Sequence, residues 1–507
     1  MTPPRRHIEI MDTTLRDGEQ TSGISFSAYE KLTIAQILLT EVNVDRIEIA
    51  SARVSEGEFE AVKKITSWAK DNGYLRQVEV LTFVDADRSI YWMQRAGAQV
   101  MNLLTKGSLN HLTHQLKKTP DEHFSDVAQV LKLAEKEGLI CNVYLEDWSN
   151  GMRCSRDYVF RYLDFLKNQP IKRILLPDTL GVLIPSETQE FLTEIIQRYP
   201  AIHFDFHGHN DYDLGTANAL AAVKAGVHGL HLTVNGMGER AGNAPLASVI
   251  AVLNDYVKEV ETSVDEKSLY STSKLVETFS GFRIPANKPI VGENVFTQTA
   301  GIHADGDKKN GLYFNELMPE RFGRQRMYAL GKMSGKANIE NNLKELGIFL
   351  AEEDLLKVTQ RIIELGDRKE VVTQADLPYI ISDILDSNSL VEKVRIENYA
   401  LTHTKNLKPL VTIRMTIDGE VFEEAAQGDG QYDAFMNVIK KVYQLKNLEL
   451  PQLTDYYVHI PPGGKSDALC ETIITWKKNN GEFKTHGLDS DQTVSAIKAT
   501  EKMLNQI

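Results

Sequence analysis

Between residue 7 and about residue 260, short β-branched runs alternate with stretches whose apolar residues recur every three or four positions. That alternation predicts parallel strands joined by crossover helices. The strand-like runs are HIEIMD from His7, RIEIAS from Arg46, QVEVLTFV from Gln77, QVMNLL from Gln99, ICNVYLE from Ile140, KRILLPD from Lys172, HFDFHGH from His203 and GLHLTVN from Gly229. Each is followed by a helical pattern. TPDEHFSDVAQVLKLAEKEG, for instance, opens with capping-box spacing at Thr119 and Glu122 and closes at Gly138. Eight βα units in roughly 250 residues fit a (β/α)8 TIM barrel. An open doubly wound sheet is the alternative, because counting strands does not establish closure.

After residue 262 the alternation gives way to helical segments broken by polar loops, and from about residue 391 strand patterning returns. There TIRMTIDGEVFEEAAQGDGQYDAFMNVIKKVYQ resembles TIITWKKNNGEFKTHGLDSDQTVSAIKATEKMLNQ, each copy reading strand, turn, strand, helix. The expected organisation is a catalytic barrel over 1–262, linker subdomains over 263–388, and a small pseudo-symmetric α+β domain over 389–507 that senses a ligand or mediates dimerisation.

Composition narrows the function classes. A chain of 507 residues, 42% hydrophobic and 25% charged, is too long for one ordinary domain. Its net charge of -13 offers no basic field for nucleic acid or an anionic membrane. No apolar run has the length of a signal peptide or a membrane span. Cys141, Cys154 and Cys470 lie far apart without a CxxC, which argues against a disulfide framework or thiolate zinc site and makes a reducing cytoplasm the expected compartment.

The chemistry-bearing residues gather at the carboxyl ends of the expected strands, where barrel enzymes place their active sites. Strand one leads into Arg16 and Asp17, strand five ends in Tyr144 and Glu146, strand six in Asp178 and Thr179, strand seven in His207 and His209, and strand eight leads to Asn235, Glu239 and Asn243. Strand residues two apart share a face, so His207 and His209 can present two imidazoles together, with Asp17 supplying a hard oxygen. Mixed imidazole and carboxylate ligands suit Mn²⁺, Mg²⁺, Co²⁺ or Zn²⁺ in an open site. Two surface or hydrogen-bonded histidines at a strand end are the plainer alternative. Arg16 could grip a carboxylate or steady an enolate oxygen, or simply pair with Asp12 or Glu48. Glu146, on the same face as Tyr144, is a candidate general acid/base, the alternative being a solvated surface carboxylate. Two apparent signatures are set aside. GMGERAG from Gly236 lacks the later acidic residue of a dinucleotide fingerprint and reads better as an active-site loop. PPGGKS from Pro461 has His459 where a phosphate loop needs its first glycine.

Several long motifs, DTTLRDGEQ from Asp12, FHGHNDYDLGTANALAAVKAG from Phe206, NGMGERAGN from Asn235, VGENVFTQTAGIHADGDK from Val291 and GKMSGKANI from Gly331, resemble the 2-isopropylmalate, homocitrate and citramalate synthases over nearly the whole chain. The resemblance implies an acyltransferase that condenses acetyl-CoA with a 2-oxo acid. It implies a divalent metal held by Asp17, His207 and His209, with Asn243 added in some members. Arg16 and Thr179 would hold the acid, and Glu146 with His303 and Tyr313 would carry protons. Because the segment bearing His303 and Tyr313 can reach the other subunit's site in relatives, a homodimer is implied. Leu81, Leu104 and Tyr144 resemble the pocket of the pyruvate-using, citramalate-forming members, in place of a serine in isopropylmalate synthases or polar and basic groups in homocitrate synthases. The terminal domain resembles the family's regulatory domain, with isoleucine the expected inhibitor. Tyr432 and Asp433, on a turn before a helix, are candidate effector contacts, joined by Tyr456 and Gln492.

Overall fold

The computed structural model describes residues 5–307, 312–367, 372–385, 393–459, 470–478 and 481–506. The PPGGKS segment lies outside these described residues. The chain forms two compact units, Met1–Thr297 with Phe314–Arg326, and Gln298–Tyr313 with Met327–Ile507.

In the first unit eight strands close into a parallel barrel: β1 Glu9–Asp12, β2 Arg46–Ser51, β3 Val78–Phe83, β4 Val100–Lys106, β5 Ile140–Glu146, β6 Arg173–Asp178, β7 Phe204–Gly208 and β8 Gly229–Leu232. The first and last strands pair, with Met11 beside His231 and Asp12 beside Leu232. That pairing removes the open-sheet alternative. The capping box opening helix Pro120–Lys136 is present, Glu122 N donating to Thr119 Oγ1 at 3.3 Å and Thr119 N to Glu122 Oε2 at 2.8 Å.

Alternation along the strands sorts residues between two environments. Ile10, Ile47, Val80, Leu103, Val143, Ile174, Phe206 and Leu230 belong to the large apolar core shared with the surrounding helices. Their neighbours Arg46, Glu79, Asn102, Asn142, Asp205 and His231 are buried polar residues that bond to one another across the lumen. Arg46 pairs with Glu79, Asp205 and Glu9, and Arg173 also reaches Glu9. Gly229 makes room for this network, since a Cβ there would lie 2.4 Å from Asp205 Oδ1 and 3.2 Å from Arg46 Nη2. The sequence leads one to expect such polar side chains gathered at the carboxyl ends of the strands. The lumen holds them too, tolerated because each charge is paired.

In the second unit, helices Lys336–Glu345, Glu352–Asp367 and Leu377–Leu385 share a small core around Ile339, Val358, Ile362 and Leu377. Beyond them lie two antiparallel three-stranded sheets, β9 Val394–Thr402 with β10 Leu410–Ile417 and β11 Glu420–Gln427, and β12 Gln452–His459 with β13 Cys470–Lys478 and β14 Gly481–Asp489. Each is followed by a helix, Gln431–Leu445 and Gln492–Gln506. The internal repeat is therefore structural, and the two copies bury Val411, Ile413, Phe435, Ile474, Trp476 and Ile497 in one core. No helix among the described residues is long and apolar enough to cross a membrane.

Candidate active site

His207 is near the end of β7 and His209 just beyond it, and their Nε2 atoms converge to 3.3 Å. Asp17 sits in the turn after β1, where the Thr13 carbonyl accepts from the backbone N–H groups of Arg16, Asp17 and Gly18. This turn puts Asp17 Oδ2 3.3 Å from His207 Nε2 and 3.8 Å from His209 Nε2. The candidate ligand atoms of all three residues lie within 4.8 Å of one another, and all three residues are buried. Asn243 joins from the loop after β8, bridged to His209 through the backbone. Its Nδ2 donates to the Met237 carbonyl at 3.0 Å, which leaves Oδ1 as its free acceptor.

The set fits a hard divalent cation. Asp17 Oδ1 and Asn243 Oδ1 are buried without a hydrogen-bond partner among the described residues, as are the Nδ1 atoms of both histidines. Buried oxygens left unpaired are costly unless something else satisfies them. Gly238 keeps the position open: at φ 151° it has a backbone conformation L side chains rarely adopt, and a Cβ would lie 2.2 Å from Asn243 Nδ2 and 3.0 Å from Asp17 Oδ1. Burial pushes the Asp17 carboxyl up, but Arg16 and the two imidazoles more than offset it and hold it well below the usual carboxylate range. Burial pushes His209 down to about 4, with Asp17 acting against that shift. A carboxylate and a neutral imidazole are the forms that bind metals.

Arg16 joins this cluster to the lumen. Its Nε donates to Glu48 Oε2 at 2.6 Å and its Nη1 to Asp17 Oδ2 at 3.1 Å. Glu48 also accepts from Asn102 Nδ2 at 2.7 Å. The ion-pair alternative for Arg16 is thus realised with Glu48 while the guanidinium stays beside Asp17. Leu81 and Tyr144 are buried with Met11 and Leu175 in a small apolar cluster, against which Leu104 packs. The Tyr144 ring meets His207 edge-on with centroids 6.2 Å apart.

Glu146 is paired with Lys106 at the end of β5. Half-buried Thr179 accepts from the Asp147 N–H through its hydroxyl at 2.8 Å, and its carbonyl accepts from Arg240 at 2.7 Å. Arg240, from the GMGERAG loop, is anchored in turn by Asp211. His303 and Tyr313 belong to the second unit, their ring centroids 4.2 Å apart.

A family model described as HMGL-like matches residues 7–276, one for a homocitrate synthase post-HMGL domain-like segment matches 290–370, and one for the LeuA allosteric (dimerisation) domain matches 371–507. A putative (R)-citramalate synthase of Archaeoglobus fulgidus is 34% identical over 99% of both chains. The (R)-citramalate synthase of Methanocaldococcus jannaschii is 32% identical over 99% of both. A probable 2-isopropylmalate synthase of Methanopyrus kandleri is 33% identical over 99% of this chain and 98% of its own. The chain belongs to the HMGL-like family, among its citramalate and 2-isopropylmalate synthases. Among solved structures, a Bacillus subtilis HMG-CoA lyase covers 56% of this chain and 97% of its own at 21% identity, with a TM-score of 0.46.

In the region matched to the LeuA allosteric domain, Tyr432, Asp433, Tyr456 and Gln492 all line one cavity of about 540 Å³, together with His403, Gly430, Gln431 and Thr493. The rings of Tyr432 and Tyr456 lie 5.1 Å apart, and the Tyr432 hydroxyl meets Thr500 Oγ1 at 2.7 Å. Asp433 spends Oδ2 on the Asp429 N–H.

Among family features, several supporting residues escaped the sequence reading. Lys31, fully buried in helix Ala28–Thr40, contacts Glu19 at 2.6 Å, Glu58 at 2.5 Å and the Leu15 carbonyl at 3.1 Å, pinning the Arg16–Asp17 turn. A lysine at an apolar helix position was the available signal. Asn102, Asp205 and His231 interrupt strand patterns at the inward positions, a signal visible only once the face is known.

Proposed function

We propose that this chain condenses acetyl-CoA with pyruvate and water to give (R)-citramalate and CoA. The observation that carries this reading is Tyr144, 2% exposed and packed with Leu81 and Leu104 beside His207. A ring and two leucines leave room for a methyl, whereas a branched chain would overpack the space at a cost of about 1–3 kcal/mol. The names of the citramalate synthase relatives agree with it.

In this reading Asp17, His207, His209 and Asn243 hold Mn²⁺, Mg²⁺, Co²⁺ or Zn²⁺, which when bound supplies Lewis-acid polarisation of a 2-oxo carbonyl. Arg16, fixed by Glu48, places a guanidinium against the acid's carboxylate or developing oxyanion. Thr179, held by Asp147 and Arg240, retains a hydroxyl proton for the same acid. Glu146, His303 and Tyr313 are the groups we assign to proton movement. One removes a proton from the acetyl methyl, the resulting carbanion forms the new C–C bond at the 2-oxo carbon, and a second returns a proton to that oxygen. Water then cleaves the thioester and CoA leaves as the thiol. The barrel, linker and terminal segments act as catalytic, site-completing and regulatory parts in a cytoplasmic homodimer, and the cavity at Tyr432, Asp433, Tyr456 and Gln492 takes isoleucine.

The 2-isopropylmalate synthase reading has support in relatives of equal identity, one at 33% and another at 32%. The deciding experiment follows CoA thiol release with Mn²⁺ while pyruvate, 2-oxobutanoate, 2-oxoisovalerate and 2-oxoglutarate are offered separately. Preference for pyruvate is expected. Preference for 2-oxoisovalerate would transfer the assignment to 2-isopropylmalate synthase, and release with none, despite bound metal, would mark an amino-acid sensor without catalysis.

A further inference from the structure

The Tyr144 hydroxyl lies 2.9 Å from His231 Nδ1. On the far side of the same ring, His231 Nε2 lies 3.2 Å from Asp205 Oδ2. Asp205 is buried, paired with Arg46, and approached at 2.9 Å by His203 Nε2. A carboxylate so surrounded only accepts hydrogen bonds, so the proton of a neutral His231 sits on Nε2. Nδ1 is then an acceptor, and at 2.9 Å it is the nearer of the two that the Tyr144 hydroxyl can donate to. The direction of the bond follows from three residues in series, Asp205, His231 and Tyr144, on strands β7, β8 and β5. Arg16 Nη2 donates to the hydroxyl oxygen at 3.4 Å, and Glu48 Oε2 is a second, more distant acceptor of its proton at 3.4 Å.

Tyr144 therefore has no proton left for a substrate and acts on it through volume alone. Met11, Leu81, Leu104 and Leu175 pack against the ring without fixing its tilt, because dispersion contacts are weakly directional. The bond to His231 is directional. We propose that His231, oriented by Asp205, is a specificity-determining positioning residue: it locks the Tyr144 ring where that ring limits the side chain of the 2-oxo acid. This rests on the proposed reading of Tyr144 as the pocket wall and names the residue that sets the wall's position. His231 does not touch the substrate.

The test is a double-mutant cycle read as the ratio of kcat/KM for pyruvate to that for 2-oxobutanoate, which is one methylene larger. His231→Leu removes the acceptor, Tyr144→Phe removes the donor, and His231→Asn keeps an acceptor near the Nδ1 position. Each of the first two variants is expected to lower the ratio by about tenfold, the scale of discrimination over one methylene. The double variant should fall no further than either alone, and His231→Asn should stay near the wild-type ratio. An unchanged ratio in folded His231→Leu, a double variant showing the product of the two effects, or a His231→Asn ratio as low as that of His231→Leu would overturn the proposal. If His231→Leu does not fold, Tyr144→Phe decides alone, an unchanged ratio again overturning it. The wild-type panel separates the two readings: a wild type that prefers a larger acid defeats the pocket assignment, whereas a pyruvate-preferring wild type with unmoved variants defeats only the role of His231.

Discussion

Arg16 Nε and Glu48 Oε2 meet at 2.6 Å inside the barrel, with the Glu48 side chain wholly enclosed. Removing one member of such a pair strands the other charge. Glu48→Ala should destabilise the fold by about 3–5 kcal/mol in urea unfolding, since Asn102 also loses its acceptor. Arg16→Lys keeps the charge but not the fork that reaches Glu48 and Asp17 together, and kcat/KM should fall by at least about a hundredfold in the thiol-release assay.

Metal removal should abolish activity and soften the first unit. Chelation with EDTA is expected to lower the melting temperature and Mn²⁺ to restore it, because a cation at a hundred times its Kd adds about 2.7 kcal/mol. His207→Ala and Asp17→Asn should show neither the metal content by plasma spectrometry nor the melting shift. Full metal occupancy in both variants would remove these residues from the ligand set.

The terminal cavity makes a separate prediction. Tyr456→Ala or Gln492→Ala should raise the isoleucine concentration that gives half inhibition by about tenfold or more, by stripping contacts from a preformed pocket. Isothermal titration with isoleucine and leucine provides the check, and heat from neither amino acid would leave the cavity without the proposed effector.

His123 offers a pH test away from the metal cluster. Burial pushes its imidazole down to about 4 from an ordinary 6.5. Between those values the unfolded chain binds the extra proton, so stability present above pH 6.5 is lost as pH falls toward 4. At pH 5 the contribution is on the order of 1–2 kcal/mol. His123→Gln, neutral throughout, should show a shallower decline in denaturation midpoint between pH 7 and pH 5 than the wild type.

All eight barrel strands were legible because β-branched runs such as ICNVYLE are long, periodic and bounded by turn signals. The His207 and His209 pair was legible because a two-residue strand period fixes both imidazoles on one face, and Asp17 because it follows the carboxyl end of the first strand. The lumen network was not. Arg46 and Asp205 are 159 positions apart, and nothing local says that RIEIAS and HFDFHGH point charges at each other. Tyr144 was read as a pocket wall, yet its hydroxyl bond to His231 depends on barrel closure, which places β8 next to β1 rather than at a sheet edge. Burial of Lys31 was hidden for the same reason: its partners Glu19 and Glu58 come from segments that only the fold brings together.

Gly229 carries a consequence for descent. With Asp205 and Arg46 occupying the space where its side chain would stand, substitutions at these three positions are not independent. A lineage that acquires alanine at 229 must first shorten or neutralise the Arg46–Asp205 pair, and so loosen the hold of Asp205 on His231. Along diverging branches, the three positions should therefore change together, with glycine surviving wherever both charges do.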